Sequence, residues 1–360
     1  MKKSRSRCWR AVVWVSLSLG LLGGLMAGCS STGYLLQSVR GHVGILQAAR
    51  PVDDVLADPQ SSSKLQERLR LTQQMRDFAV SNLALPDNAS YRRYADLGRS
   101  AAVWNVVAAP ELSLTLTSSC FPVVGCVGYR GFFQREQADA HAQTLRDQGL
   151  DVMVYGVPAY STLGRLPGRY FADPLLNTFI NDTPADLAKL IFHELAHQVA
   201  FAAGDTVFNE SFATAVERLG VQRWLSTQEE ASFRRDFERL EQQRAEFRAL
   251  TMRFRTELEQ VFQRSGSDVE KRQRKVQLYA DMRAEYRRIK TERWGGYAGY
   301  DRWFERANNA SLAVLAAYNT QVPAFESLFE RCDRDFPRFY AEVRRLAALP
   351  KAERDAFLVR

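Results

Sequence analysis

The strongest constraint on the fold of this 360-residue chain is a helical run that carries two of its four histidines. Leu190 to Ala200 reads LIFHELAHQVA, so four positions separate His193 from His197, and Glu194 follows the first. Side chains four apart lie on one face of an α-helix, whereas Glu194 is rotated about 100° away. Because the rest of the run is apolar, we expect a buried helix whose polar residues line a cavity.

This spacing directs two imidazoles at one point and leaves a carboxylate within reach of a water there. The same pattern binds zinc in metallohydrolases, with the glutamate as general base. Two core histidines unrelated to metal are the alternative, but a buried imidazole pair beside a carboxylate is costly unless its polar atoms are satisfied. The sequence therefore predicts a Zn²⁺ site with His193 and His197 as ligands and Glu194 as general base.

A third ligand is expected from the next predicted helix, which reads FNESFATAVERLG over residues 208–220. Glu210 and Glu217 lie seven positions apart, two turns along one face, so both can point toward the same site. The residues themselves leave both open.

The N-terminal segment has the pattern of an export signal. Residues 1–28 combine five basic residues with a long apolar stretch and contain no acidic residue. The segment ends LMAGCSS, which is similar to the lipobox of bacterial lipoproteins. That similarity implies a lipid on Cys29, and Ser30 after it implies the periplasmic face of the outer membrane. An uncleaved anchor and ordinary signal cleavage are the alternatives.

The net charge argues against a nucleic-acid-binding protein, and the cysteines suit an exported one. The net charge is +8, and removing the five basic residues of 1–28 leaves +3, which excludes a nucleic-acid-binding footprint. Export places the chain in an oxidising compartment, so we expect a disulfide between Cys120 and Cys126 and a free thiol at Cys332.

The hydrophobic pattern predicts an α+β fold that is mostly helical. A small, mostly antiparallel sheet is expected to pack on the histidine helix, with strands in the following runs: AAVWNVVAAP, LSLTLTSSCF, VVGCVGYRGFF and DVMVYGVPAY. The last run is expected at the sheet edge, where an extended peptide can pair with it. The histidine helix is predicted to begin at Thr183 and end at Gly204, and the next to end near Gly220.

A long helical hairpin is predicted over Gln228–Arg293, because apolar residues recur with heptad-like spacing on both sides of an SGSD turn. It is either a structural, solvated hairpin or a lid or arm that docks a protein partner. Together these patterns divide the chain into a signal peptide, a zinc-peptidase core, the hairpin and C-terminal helices that pack back on the core: 1–28, 29–225, 226–294 and 295–360.

The motifs HELAHQ and NESFATAVE resemble the gluzincin metallopeptidases, particularly their aminopeptidase branch. The resemblance implies that Glu210 is the third zinc ligand and that Glu217 supports the site. The interval from His197 to Glu210 is shorter than is usual in that family, so spacing counted alone favours Glu217. Over residues 34–225, and more loosely beyond, the chain is similar to a group of bacterial lipoproteins named the “Putative aminopeptidase” family. The segments that carry this similarity include LLQSVRGHVGILQAARPV, LPDNASYRRYADLGR, CFPVVGCVGYRG and GVPAYSTLG.

The resemblance implies a zinc-dependent metallopeptidase that acts on peptides, with aminopeptidase action expected. Gluzincins often use a tyrosine to stabilise the oxyanion; Tyr160 and Tyr318 are candidates here, although a tyrosine in such a position is more often an ordinary packed residue. The chain lacks the Gly-x-Met-Glu-Asn motif of gluzincin aminopeptidases, which leaves endopeptidase action open. Other hypotheses are an envelope scaffold or chaperone and a zinc amidase acting on cell-wall peptides.

Overall fold

The computed structural model describes residues 33–34, 37–121, 125–159, 172–229, 231–316 and 321–358. The chain forms two compact units, Met1–Gln47 and Ala48–Arg360. Residues 37–48 form helix α1, which lies in the first unit except for its last residue. In the described part of the chain, no helix combines the length and apolar character that crossing a membrane requires.

The remaining elements lie in the second unit. Its strands are β1 (Arg50–Pro51), β2 (Arg93–Ala95), β3 (Val103–Pro110), β4 (Ser119–Phe121), β5 (Gly125–Val127), β6 (Arg130–Phe132), β7 (Leu150–Val157) and β8 (Leu175–Leu176). Its helices are α2 (Val52–Ala57), α3 (Ser63–Ser81), α4 (Arg135–Asp147), α5 (Pro184–Ala196), α6 (Thr206–Ser226), α7 (Ala231–Gln263), α8 (Asp268–Glu292), α9 (Asp301–Arg306), α10 (Asn309–Ala316), α11 (Val322–Arg331), α12 (Phe336–Ala347) and α13 (Lys351–Leu358). The prediction of a mostly helical α+β fold is confirmed.

The described strands form three small sheets. The largest has the order β6-β3-β7 and is antiparallel, with β3 and β7 paired along their full length from Val103↔Val157 to Pro110↔Leu150. A second sheet, β1-β2-β8, combines an antiparallel and a parallel pair, and β4 and β5 form a hairpin. The antiparallel sheet packs mainly against α4 and α10, and among the described strands β6 and β7 lie at its two edges.

The strand predicted from LSLTLTSSCF is wrong over most of its length, because only Ser119–Phe121 is a strand. Alternate leucines of this run pack into two separate clusters. Leu114 is buried with α7 and α8, whereas Leu116 packs beside Val107 of β3. Thr117 returns to the sheet through a hydrogen bond from its backbone N–H to the Ala108 carbonyl at 2.8 Å. The alternating apolar residues of this run are therefore buried in two separate clusters and do not form one face of a strand.

The histidine helix α5 packs chiefly on α6, with further contacts to α3 and α7. It begins as predicted, since the Thr183 hydroxyl accepts a hydrogen bond from the backbone N–H of Asp186 and Pro184 occupies the first turn. It ends at Ala196, so the predicted end at Gly204 is wrong. The predicted end of the next helix is wrong as well, because α6 continues past Gly220 to Ser226.

Gly220 serves close packing rather than helix termination. A Cβ atom at this position would lie 2.9 Å from Leu83 Cδ1 and 2.9 Å from Phe192 Cδ2, closer than real Cβ contacts. Glycine therefore lets α6 approach α5 and the segment just after α3, and its helix penalty of about 1 kcal/mol relative to alanine is offset by that packing.

The helical hairpin is present as α7 and α8, which are joined by residues 264–267. Ser267 begins α8 with a capping box, in which its hydroxyl accepts from the Glu270 N–H and the Glu270 carboxylate accepts from the Ser267 N–H. The two helices and the segment after them enclose an apolar cluster, here called the hairpin core. Its buried members are Leu114, Phe247, Leu250, Phe254, Leu258, Leu278, Tyr279, Met282, Tyr286, Ile289, Trp294, Phe304, Ala307 and Leu312. The predicted division of the chain into four segments stays a prediction.

Candidate metal centre

Two helices bring the predicted ligands together. Helix α5 carries His193 in its last turn and His197 at its C-cap, and α6 carries Glu210 in its first turns. The two Nε2 atoms of the histidines lie 3.2 Å apart. Glu210 Oε2 is 3.3 Å from His193 Nε2, and Glu210 Oε1 is 3.8 Å from His197 Nε2. The three side chains thus converge, with one ligand atom from each lying within 4.8 Å of the others.

The hydrogen-bonding chemistry of this group calls for a positive charge at its centre. His193 Nδ1 lies 2.9 Å from Glu217 Oε2, and because a carboxylate only accepts, Nδ1 donates. In the neutral ring, His193 Nε2 then carries a lone pair and is an acceptor. This atom faces the Glu210 carboxylate, which is also an acceptor. Facing acceptors are stable only with a proton or a metal cation between them.

The separations between the ligand atoms also fit a divalent metal ion. Two ligands at about 2.0–2.1 Å from a tetrahedral cation are roughly 3.3 Å apart. The His193–His197 and His193–Glu210 separations of 3.2 and 3.3 Å match that spacing. Two imidazoles and one carboxylate leave a fourth position open, which is typical of a catalytic rather than a structural metal site. His193, His197 and Glu210 can therefore hold a metal ion.

Glu217 contacts His193 at the opposite ring nitrogen from Glu210. Its Oε2 accepts from His193 Nδ1, and its Oε1 lies 3.5 Å from Lys189 Nζ, one turn earlier on α5. A carboxylate in this position fixes the tautomer and the orientation of a metal-binding histidine. The structure thus gives the two candidate glutamates different positions, Glu210 at Nε2 and Glu217 at Nδ1.

Ion pairs continue from this site to the hairpin. Lys189 Nζ also lies 3.0 Å from Glu241 on α7. Glu241 in turn pairs with Arg244 at 2.8 Å, and Arg244 pairs at 2.8 Å with Asp186 in the first turn of α5. These four side chains connect α5 to the first hairpin helix over about one turn of each.

Burial and charge set the protonation of the ligands. Burial, then the charge of the neighbouring His193, lowers the pKa of His197 to about 4. Burial alone would also lower the pKa of His193, but hydrogen bonds with Glu210 and Glu217 and the charges of Glu217 and Glu194 outweigh it and raise that pKa. His197 is therefore neutral at neutral pH, whereas a metal ion must displace a proton from His193.

Glu210 is ionised in this setting. Burial favours its neutral form, but the hydrogen bond with His193 and the charges of His197 and His193 hold its pKa below the usual value for a glutamate. An ionised Glu210 is the form that binds a cation.

Asn209 positions Glu210 despite the short connection between the helices. Its side-chain amide donates to the Ala202 carbonyl at 2.9 Å and accepts from the Ala202 N–H at 2.8 Å. This pair of bonds holds the 197–205 connection against the start of α6, and the buried Asp205 caps that helix by accepting from the Phe208 N–H. The connection therefore turns tightly, and Glu210 reaches the imidazoles without the longer interval that spacing alone demands.

Glu194 lies on α5 between the two histidines and is half-buried. The charge of Glu194 contributes, after burial, to raising the pKa of Tyr91. Tyr91 is buried and has a φ of 64°, a conformation that is rare and strained for an aromatic residue.

Sequence reasoning missed Tyr91, although it lies in the quoted segment LPDNASYRR. Its backbone N–H donates to the Asp173 carbonyl at 2.7 Å, and its carbonyl accepts from the Gln73 side chain at 3.0 Å. Both contacts link residues distant in sequence, so no local pattern indicates them.

The other predicted site residues have different outcomes. Tyr160, Tyr318 and Cys29 lie outside the described residues. Cys120 and Cys126 are joined by a disulfide and face each other across β4 and β5, as the sequence predicted. Cys332 is the free thiol of the described part of the chain.

Comparison with known proteins places the chain in a family. A family model described as “Putative aminopeptidase” matches residues 33–358. No curated protein and no solved structure matches the chain. Since the family model spans nearly the whole chain, including the converging His193, His197 and Glu210, the protein belongs to the “Putative aminopeptidase” family.

Proposed function

We propose that this protein is a zinc-dependent metallopeptidase that removes residues from the N-terminus of peptides. The observation that carries the proposal is the convergence of His193, His197 and Glu210 on one point with a fourth position open. Membership of the family supports peptides as the substrate class.

Zinc is the metal that this donor set favours. Imidazole nitrogens and a carboxylate oxygen in tetrahedral spacing suit Zn²⁺, whereas magnesium and calcium select oxygen ligands. When bound, zinc lowers the pKa of a coordinated water and polarises a substrate carbonyl.

The chain's own residues supply the remaining chemistry. Glu194 accepts a proton from the attacking water and returns it to the leaving amine. Glu217 accepts the Nδ1–H of His193 and so keeps the His193 Nε2 lone pair directed at the metal position. Tyr91, whose pKa the charge of Glu194 helps to raise after burial, is a candidate donor of a hydrogen bond to the developing oxyanion.

The proposed location is the bacterial envelope. The apolar N-terminal segment and its LMAGCSS junction support a lipid on Cys29, which would tether the enzyme to the periplasmic face of the outer membrane. The disulfide between Cys120 and Cys126 is consistent with an oxidising compartment.

The test compares the zinc-loaded wild type with Glu194→Gln on two substrate panels, aminoacyl nitroanilides and internally quenched peptides. We expect hydrolysis of the nitroanilides by the wild type, and a loss of about 10²–10⁴-fold in Glu194→Gln with zinc content unchanged. Aminopeptidase action further requires that acetylation of a peptide's N-terminus abolish cleavage. If the zinc-loaded wild type cleaves neither panel, the enzymatic proposal fails. If it cleaves acetylated peptides at internal bonds and leaves the nitroanilides intact, it is an endopeptidase.

A further inference from the structure

A groove lies along the free edge of β7. The antiparallel sheet has the order β6-β3-β7, so β7 has a single partner strand in the part of the chain that the structure describes. A cavity of about 650 Å³ runs beside this edge and is lined by Val152 to Gly156. One wall is formed by α4 and the other by residues 299–306, which include α9.

The register shows which backbone groups face the groove. The Val157 carbonyl points to β3, where it accepts from the Ala102 N–H. Successive residues of a strand direct their N–H and C=O groups to opposite sides, so the even-numbered residues of β7 face away from β3. The Asn308 side chain donates to the Val152 carbonyl at 3.0 Å, as this alternation requires. Val154 and Gly156 therefore present their N–H and C=O groups to the groove.

The walls of the groove are strongly basic. The α4 wall contributes Arg146 and an ion pair between Arg135 and Asp139 at 2.8 Å. The other wall contributes Arg302 and Arg306. Among the described residues, no carboxylate pairs with Arg146, Arg302 or Arg306, which leaves three uncompensated positive charges around an unpaired strand edge. Trp303 lies between the last two arginines and adds an aromatic surface.

We propose that this groove binds an extended acidic peptide segment, which adds to the sheet as a strand beside β7. Backbone hydrogen bonds with Val154 and Gly156 would hold such a segment. Its side chains would alternate between the two walls, since a strand's successive side chains point to opposite faces. Glutamates or aspartates on both faces would then meet Arg146 on one wall and Arg302 and Arg306 on the other.

The test uses the full chain carrying Glu194→Gln, so that the probe is not cleaved. The probe is a fluorescent eight-residue peptide, acetylated and amidated, with two glutamates on each face of an extended strand. We expect saturable binding by fluorescence anisotropy, weakened at least tenfold when glutamine replaces the glutamates. Binding should also fall at least tenfold in the protein variant Arg302→Glu, Arg306→Glu.

Two controls separate strand addition from simple charge attraction. Arg274→Glu removes an exposed arginine of α8 outside the groove and should leave binding unchanged within twofold. N-methylation of the peptide amides at one set of alternate positions should abolish binding, whereas methylation at the other set should have little effect, because only one set faces β7.

The proposal is overturned if the peptide does not bind, if Arg302→Glu, Arg306→Glu binds it like the wild type, or if both methylated sets bind equally. Competition by heparin without any effect of methylation would show a non-specific anion surface and would overturn it as well. Peptide binding is measured with and without zinc. Equal affinities would show that the groove acts independently of the metal centre. Failure of the proposed enzymatic function would then leave the binding result unaffected.

Discussion

The candidate metal centre and the hairpin core differ in what they bury: polar ligand atoms in the first and packed aromatic rings in the second. In the hairpin core, aromatic rings fill the interior and pair closely, as in the stacking of Tyr286 on Phe304 with ring centroids 3.9 Å apart. The Tyr279 hydroxyl, which lies in that interior, donates to Asn309 at 3.0 Å. In the candidate metal centre, two imidazoles and a carboxylate converge, and in the metal-free protein a proton held by His193 lies among them.

Because of this difference, we expect the hairpin core to determine folding stability and the candidate metal centre to determine metal binding. A packed aromatic core lowers the free energy of the folded chain through burial alone. The converging ligands need a cation among them: a proton on His193 has that role in the metal-free protein, and a bound metal ion replaces it. Substitutions in the two regions should therefore give different readouts, folding in one and metal binding in the other.

The largest effect is expected from the hairpin core. Leu258 on α7 is completely buried, and Leu258→Ala should lower the free energy of unfolding by about 2–5 kcal/mol through lost burial and a residual cavity. Chemical denaturation measures this change. The zinc affinity and the activity per folded molecule should stay at wild-type values; a loss of metal affinity in the folded fraction would show that the two regions are not separate.

Glu217→Gln should act mainly on the metal. The amide no longer provides a carboxylate for the His193 N–H, so the orientation of the imidazole is less well fixed. We expect zinc affinity to fall by about 10- to 100-fold, measured by competition with a chromophoric chelator. Stability of the metal-free protein should change much less than in Leu258→Ala. Unchanged affinity would remove Glu217 from the site.

The smallest effect is expected at the ion pairs that join the two regions. Lys189→Met removes the cation between Glu217 and Glu241, whereas Lys189→Arg keeps it. Because an ion pair with partial solvent access contributes up to about 1 kcal/mol, zinc affinity should fall about fivefold or less in the first variant. The second variant should restore it. An effect as large as that of Glu217→Gln would mean that the hairpin controls the metal centre directly.

The sequence predicted both regions from periodicity. Helical spacing identified His193 and His197 as neighbours on one face, and heptad-like spacing identified α7 and α8. Each is a local property, since it depends on residues a few positions apart.

What periodicity missed depends on contacts between distant segments. Gly220 lies inside α6 and packs closely against Leu83 and Phe192, which the sequence around Gly220 does not reveal. The hydrogen bonds of Asn209 to Ala202 explain how a short connection still delivers Glu210, and spacing alone pointed to Glu217. The left-handed backbone of Tyr91 is likewise held by Asp173 and Gln73.

The central claim is that one metal ion binds where His193, His197 and Glu210 converge. Zinc content after dialysis, combined with X-ray absorption at the zinc edge, tests it most directly. We predict one zinc per wild-type chain, with two imidazole nitrogens at about 2.0–2.1 Å and a carboxylate oxygen at about 2.0–2.2 Å. The variant His193→Ala, His197→Ala should retain none while keeping the fold of the metal-free protein. A wild-type chain that binds no zinc, or a double variant that retains it in full, would contradict the account.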